Sequence, residues 1–210
     1  MNSMSVLMSQ LSILLDIAIF LLTTAITWMA FHLYMLFRKP RYLQFSTGFL
    51  CISIGYFFVA IINVFTYPNI HTTGIEQLAL ANVLRSLWFI PILVGLTILT
   101  ILYYNINERR LQLLFVTLLI AGFTLGGFTE VAFFTASSIL FFFIALKLYH
   151  HHRTEPDQSS LLILTGFSLL FISKLFSGIL FIHEGLYIGY YIFKLAGVGL
   201  ITHSTWVISR

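Results

Sequence analysis

Three cations stand inside apolar sequence. Arg85 lies in Ala81-Asn82-Val83-Leu84-Arg85-Ser86-Leu87-Trp88-Phe89-Ile90-Pro91, and Lys174 and Lys194 have similarly apolar neighbours, whereas the remaining Lys and Arg fall at the ends of apolar runs or between them. A cation at membrane depth costs about 3 kcal/mol or more unless it is paired or wetted. Counting from the ends of the runs puts all three in the outer half of the apolar layer, together with the acids Asp16, Glu76, Glu130 and Glu184. Two chemistries fit that set. In the first, Arg85, Lys174 and Lys194 hold an anionic group, a carboxylate or a lipid phosphate, in a pocket lined by Asn82, Trp88 and Tyr190, with Tyr187 and Tyr191 nearby. In the second, the acids are counterions that neutralise the cations and lock the helices together. His71 and His183, in outer turns, add two further donors or proton carriers.

Groups placed in this way need a membrane-spanning frame. The 210-residue chain is 59% hydrophobic and only 9% charged, against about 25% charged in soluble proteins. Runs long enough to span, roughly 20 apolar residues each, can be laid out as seven spans at about 11–37, 43–67, 75–104, 111–125, 130–149, 160–182 and 186–208, the fourth short and glycine-rich. The chain therefore reads as one all-α transmembrane domain, residues 1–210, with no stretch left for a soluble domain. Residues 1–10 carry no Lys or Arg, and the first run continues to Phe37 without a small-residue cleavage site, so it reads as span 1 rather than a removed signal peptide.

Charge sets the sidedness. Spans 1, 3, 5 and 7 end in or are followed by basic residues, Arg38, Lys39 and Arg41, then Arg109 and Arg110, then Lys147 and Arg153, then Arg210; the segments after spans 2, 4 and 6 hold no Lys or Arg. By the positive-inside rule the N-terminus is outside and the C-terminus inside. The net charge of +4 is accounted for by these loops and calls for no nucleic acid. The chain also aligns with itself, Thr47-Gly48-Phe49 on Thr165-Gly166-Phe167 and Val83-Leu84-Arg85 on Ile192-Phe193-Lys194. That pattern points to a parallel three-helix repeat, spans 1–3 and 5–7, joined by span 4. Arg85 and Lys194 would then face each other across the pseudo-axis.

Seven spans with an outside N-terminus, Arg85 followed by Trp88 and Pro91, and Lys194-Leu195-Ala196-Gly197-Val198-Gly199-Leu200 in the last span resemble microbial rhodopsins. The resemblance implies retinal on Lys194. It departs where those proteins carry acids, with Asn82, Ser86 and Leu87 beside the arginine and Tyr190 one turn before the lysine. A protonated imine with no carboxylate beside it loses its proton in a dry site. The three-plus-one-plus-three layout is similar to sugar transporters of the SWEET type and implies rocking halves. Their proline-glutamine motif is absent, and of Pro40, Pro68, Pro91 and Pro156 only Pro91 lies within a span.

His32 and His203, near the inner ends of spans 1 and 7, are the one pair at matching depth for a haem between helices. The adjacent His150, His151 and His152 point in different directions on a helix, so they read as a solvated basic run and not a metal site. Cys51, inside a span, excludes a disulfide framework. Gly122 and Gly126, with Gly127 beside them, and Gly48 with Gly55 offer small faces for close helix packing or for another subunit. No nucleophile with its base, phosphate loop or metalloprotease motif is present, so no enzymatic activity is expected. The expectation is an integral membrane protein, of a prokaryotic plasma membrane given its compactness, that senses or transports a small anionic or amphipathic ligand through an outward-facing charged pocket. It would work in the lipid bilayer as a homo-oligomer or with a partner membrane protein. The alternatives are a non-catalytic structural subunit of a larger membrane complex and, more remotely, a retinal protein.

Overall fold

The computed structural model describes residues 3–66, 88–106, 130–179 and 187–209, with 108, 110, 112, 113, 116 and 117 between them. Every regular element among the described residues is an α-helix: α1 (Ser3–Phe37), α2 (Pro40–Thr66), α3 (Phe89–Tyr104), α4 (Glu130–Thr154), α5 (Gln158–Ile179) and α6 (Tyr187–Ser209). Five of them, all but α3, are long and apolar enough to cross a membrane. This is the all-α architecture of an integral membrane protein. Spans 1, 2, 5, 6 and 7 fall on α1, α2, α4, α5 and α6, and α3 is the described part of span 3. Span 4 lies largely outside the described residues; Gln112, Leu113, Val116 and Thr117 within it are helical.

The polarity of the helices is inverted relative to a soluble bundle. On α1 the buried side chains are Ser12, Asp16, Ile19, Thr23, Ile26, Ala30 and Leu33, alternately four and three residues apart, which is one helix face. The opposite face exposes Leu14, Leu21, Trp28 and Met35, with Trp28 74% accessible. Large apolar side chains outside and hydroxyls and a carboxylate inside make sense when the surrounding solvent is hydrocarbon. The buried hydroxyls are satisfied locally or across helices. Thr23, Thr97, Thr100 and Thr205 donate to the carbonyl four residues back, at 2.7–2.9 Å. Ser46 on α2 reaches the Thr27 carbonyl of α1 at 3.0 Å, and Ser204 on α6 reaches the Ser159 carbonyl of α5 at 3.1 Å.

The corners follow local chemistry. α1 closes on Arg38 with a left-handed φ of 54°, and α2 starts two residues later on Pro40, whose missing N–H and fixed φ suit a first helical position. α3 closes on Asn105, φ 52°, with Asn105 N–H to Leu102 O and Ile106 N–H to Ile101 O, both 3.1 Å, the paired bonds of a Schellman ending. α4 continues through His150, His151 and His152 to Thr154, beyond the expected end at 149, and Asp157 caps α5 by accepting from Ser159 N–H at 3.2 Å.

In cross-section each helix packs on the next, α1 through α6, and α6 packs back on α1, so the six form a closed ring. Two tight crossings hold it. A Cβ on Gly95 would stand 2.4 Å from the Gly48 carbonyl where α2 meets α3, and one on Gly197 2.7 Å from the Gly166 carbonyl where α5 meets α6. Arg41, Asn105, Lys147, His150 and Ile208 surround one cavity, so the ends of α1, α3, α4 and α6 and the starts of α2 and α5 gather at one basic end. Beneath that end, fully buried Phe167 packs on Phe49, Tyr103 and Phe141, with centroids 5.8–6.5 Å away, and forms an aromatic layer drawn from four helices.

Candidate functional site

Of the Lys and Arg among the described residues, Lys174 and Lys194 are the two in the core, each 3% accessible. Snorkelling to the surface, which their long stems would permit, does not occur. Lys194 Nζ lies 3.1 Å from Asp16 Oδ1, the one salt bridge among the described residues. Asp16, expected as a counterion, is 2% accessible and lies on the buried face of α1 between Ser12 and Ile19.

Both oxygens of Asp16 are engaged. Asn63 Nδ2 donates to Oδ2 at 3.2 Å from α2, and the Tyr191 hydroxyl donates to the same oxygen at 3.4 Å from α6. The Lys194 ammonium sits among three rings, 4.4 Å from the centroid of Tyr56 and 5.1 Å from those of Tyr190 and Tyr191. Ring faces attract a desolvated cation. The pair therefore carries the supplementary bonds that a buried ion pair needs if attraction is to offset desolvation. It also ties α1 to α6 across 178 residues of sequence.

Lys174 is different. Its Nζ lies 4.8 Å from the Phe133 centroid and 5.1 Å from that of Phe134, and it has no ion pair among the described residues. Phe133 is in turn stacked on Phe89 at 4.3 Å and 12°, and Trp88 meets both rings edge-on. An aromatic chain thus leads from Lys174 to the first residues of α3, directly after the segment that contains Arg85.

Arg85, Asn82, Glu76, Glu184, His71 and His183 lie outside the described residues, as does the side chain of Glu130, the first residue of α4. The structure brings together Asp16, Lys194 and Tyr190 on one side and Lys174 and Trp88 on the other, through Phe133. Asn63 and Tyr56 belong to the site and were not among the expected residues. The signal for Asn63 is an amide inside Ile61-Ile62-Asn63-Val64, where a polar group needs a partner.

The cofactor expectations meet packed side chains. Asp16 supplies Lys194 with a neighbouring carboxylate that the comparison with rhodopsins lacked, yet three tyrosine rings occupy the space around Nζ through which a retinylidene chain would run. Retinal does not fit the lysine as packed. His32 and His203 are exposed on the outside of the ring, so they do not face one another across a haem. Compared with known proteins, the chain matches no family model, no curated sequence and no solved structure.

Proposed function

We propose that the chain is a polytopic membrane protein that senses or transports a small anionic or amphipathic molecule, bound in an outward-facing pocket by Lys174 and by Arg85 and Asn82 of the segment preceding α3. The observation that carries this reading is the imbalance of ionisable groups in the core: Asp16 is committed to Lys194, Asn63 and Tyr191, and Lys174 is a second buried lysine without an acid among the described residues. A buried ammonium needs an anion or water. A ligand carboxylate or phosphate would supply it.

The same proposal includes seven spans with the basic end cytoplasmic. In support, the C-terminal ends of α3 and α4 both line the cavity at the basic end. It also includes the parallel repeat, α1–α3 and α4–α6. In support, Gly48 meets Gly95 as Gly166 meets Gly197, with Ile52 and Leu99 around the first crossing where Leu170 and Ile201 surround the second. In that register the counterpart of Lys194 is Ile92 rather than Arg85, so the cluster is asymmetric.

Native mass spectrometry of the protein purified in mild detergent tests the pocket. A releasable small anion is expected on the wild type and lost in Lys174→Gln and in Arg85→Gln, with both variants folded and monodisperse. Equal occupancy in all three sinks the pocket. The second reading, a non-catalytic subunit held by ion-pair locks, is favoured by the full satisfaction of Asp16. It expects Lys174→Gln to lower the unfolding temperature and to carry no anion change, with rescue when a partner acid such as Glu130 or Glu184 is also neutralised.

A further inference from the structure

A second site lies at the other end of the ring. A cavity of about 580 Å³ opens between the helix ends on the basic side, within the ~300–1,000 Å³ typical of small-ligand sites. All six helices line it. Its deep wall is apolar and largely buried, with Ala30 and Leu33 of α1, Phe45 of α2 and Leu148 of α4. Its floor is Tyr103, which packs on Phe167 at 5.8 Å. Its mouth is basic: Arg41 and Lys147 are exposed there with His150 and His151, and no Asp or Glu among the described residues lines it.

We infer that this cavity binds a single-chain amphiphile with an anionic head, a carboxylate or a phosphate monoester, head at Arg41 and Lys147 and chain directed toward Phe167. The two walls impose opposite demands on an occupant. The apolar depth disfavours a small hydrated anion, because Ala30, Leu33, Phe45 and Leu148 offer it no donors to replace lost water and the Thr205 hydroxyl is already bonded to the Ile201 carbonyl, which leaves only the phenol of Tyr103 at the floor. The rim disfavours a neutral or cationic head, because the guanidinium of Arg41 and the ammonium of Lys147 have no carboxylate among the described residues of the lining to neutralise them. Arg41 is held in place by a bond from Nη2 to Asn105 Oδ1 at 3.3 Å, which leaves its other donors for a head group. Lys147 Nζ rests 5.8 Å from the Tyr104 centroid. Ala30 lies seven residues before the end of α1, so the apolar part reaches about 10 Å below the helix ends at 1.5 Å per residue. That depth suits a medium-length chain. Phe167 and its neighbours separate this site from Lys174, so it does not depend on the pocket proposed above.

Three ligands with one chain, decanoate, decyl phosphate and decanol, are titrated into protein in nanodiscs of zwitterionic phosphatidylcholine. Saturable binding of decanoate or decyl phosphate is expected, at least tenfold tighter than decanol and weakening as salt is raised. The tighter of the two acids identifies the head. The double variant Arg41→Gln, Lys147→Gln should bring the acid down to the level of decanol, and Lys39→Gln, which removes an exposed charge outside the cavity lining, should leave it unchanged. Decanol binding as tightly as both acids, or an acid affinity indifferent to the double variant, overturns the assignment. A photoreactive decanoate analogue provides a readout without cavity-filling variants: labelling on Leu33, Phe45 or Leu148 supports the site, and labelling confined to lipid-facing residues such as Leu14 or Trp28 rejects it.

Discussion

Asp16 accepts hydrogen bonds from three side chains and sits where water does not reach, so removing its cationic partner leaves a bare carboxylate in the core. Lys194→Met should therefore cost about 3–5 kcal/mol of stability, and Asp16→Leu should cost a similar amount by stranding the ammonium. The double variant should recover most of the loss, because an apolar pair of similar size replaces two charges together. Thermal unfolding of the purified protein in detergent measures all three, and additive losses in the double variant would show that the two side chains do not act as a pair. The lysines were legible in the sequence, since a charge in an apolar run has few explanations. The partner was less so. Asp16 is on the buried stripe 12, 16, 19, 23, 26, 30, 33, whose spacing the sequence already contains, but the side chains it meets there, Asn63, Tyr191 and Lys194, come from distant helices that no local pattern ties to it.

At the scale of elements, the ring depends on backbones that approach too closely for side chains. Gly95→Ala would put a methyl 2.4 Å from the Gly48 carbonyl, and Gly197→Ala one 2.7 Å from that of Gly166, and neither carbonyl can rotate away as a side chain could. Each should destabilise by about 1–3 kcal/mol, as overpacking does. Gly199, also on α6, has nothing within 4 Å of its added Cβ, so Gly199→Ala should be neutral or slightly stabilising through helix propensity. A calorimetric series on the three variants separates crossing from propensity. The glycines at 48 and 166 stood out in the sequence because short identical words flank them. The pairing of Gly95 with Gly48 and of Gly197 with Gly166 was not legible, since one apolar residue aligns with another as well as any.

For the whole molecule, the apolar belt and the basic end together fix how the ring should sit in a bilayer. Glu155, in the short connection between α4 and α5, is exposed at that end. In a Cys51→Ala background, Glu155→Cys should react with a membrane-impermeant maleimide only from the cytoplasmic side; labelling in intact cells from outside would invert the proposed topology. The helical class and most span positions were readable because hydrocarbon demands roughly 20 apolar residues per crossing, a signal that needs no tertiary information. Which residues meet inside the ring was not, because the inward faces carry hydroxyls, an amide and single charges whose partners come from distant spans.

The bond between Asp16 and Lys194 also has a temporal side. Its partners are separated by 178 residues, and α1 leaves the ribosome long before α6 exists. At a synthesis rate of roughly 5–20 residues per second, the carboxylate waits on the order of ten to thirty seconds or more for its cation. Through that interval the first helix carries an unneutralised acid into the bilayer, so its stable insertion must rest on water at the membrane edge or on the insertion machinery. Nascent chains that end before Lys194 would keep that acid without its cation, and α6, on arrival, both closes the ring and supplies it.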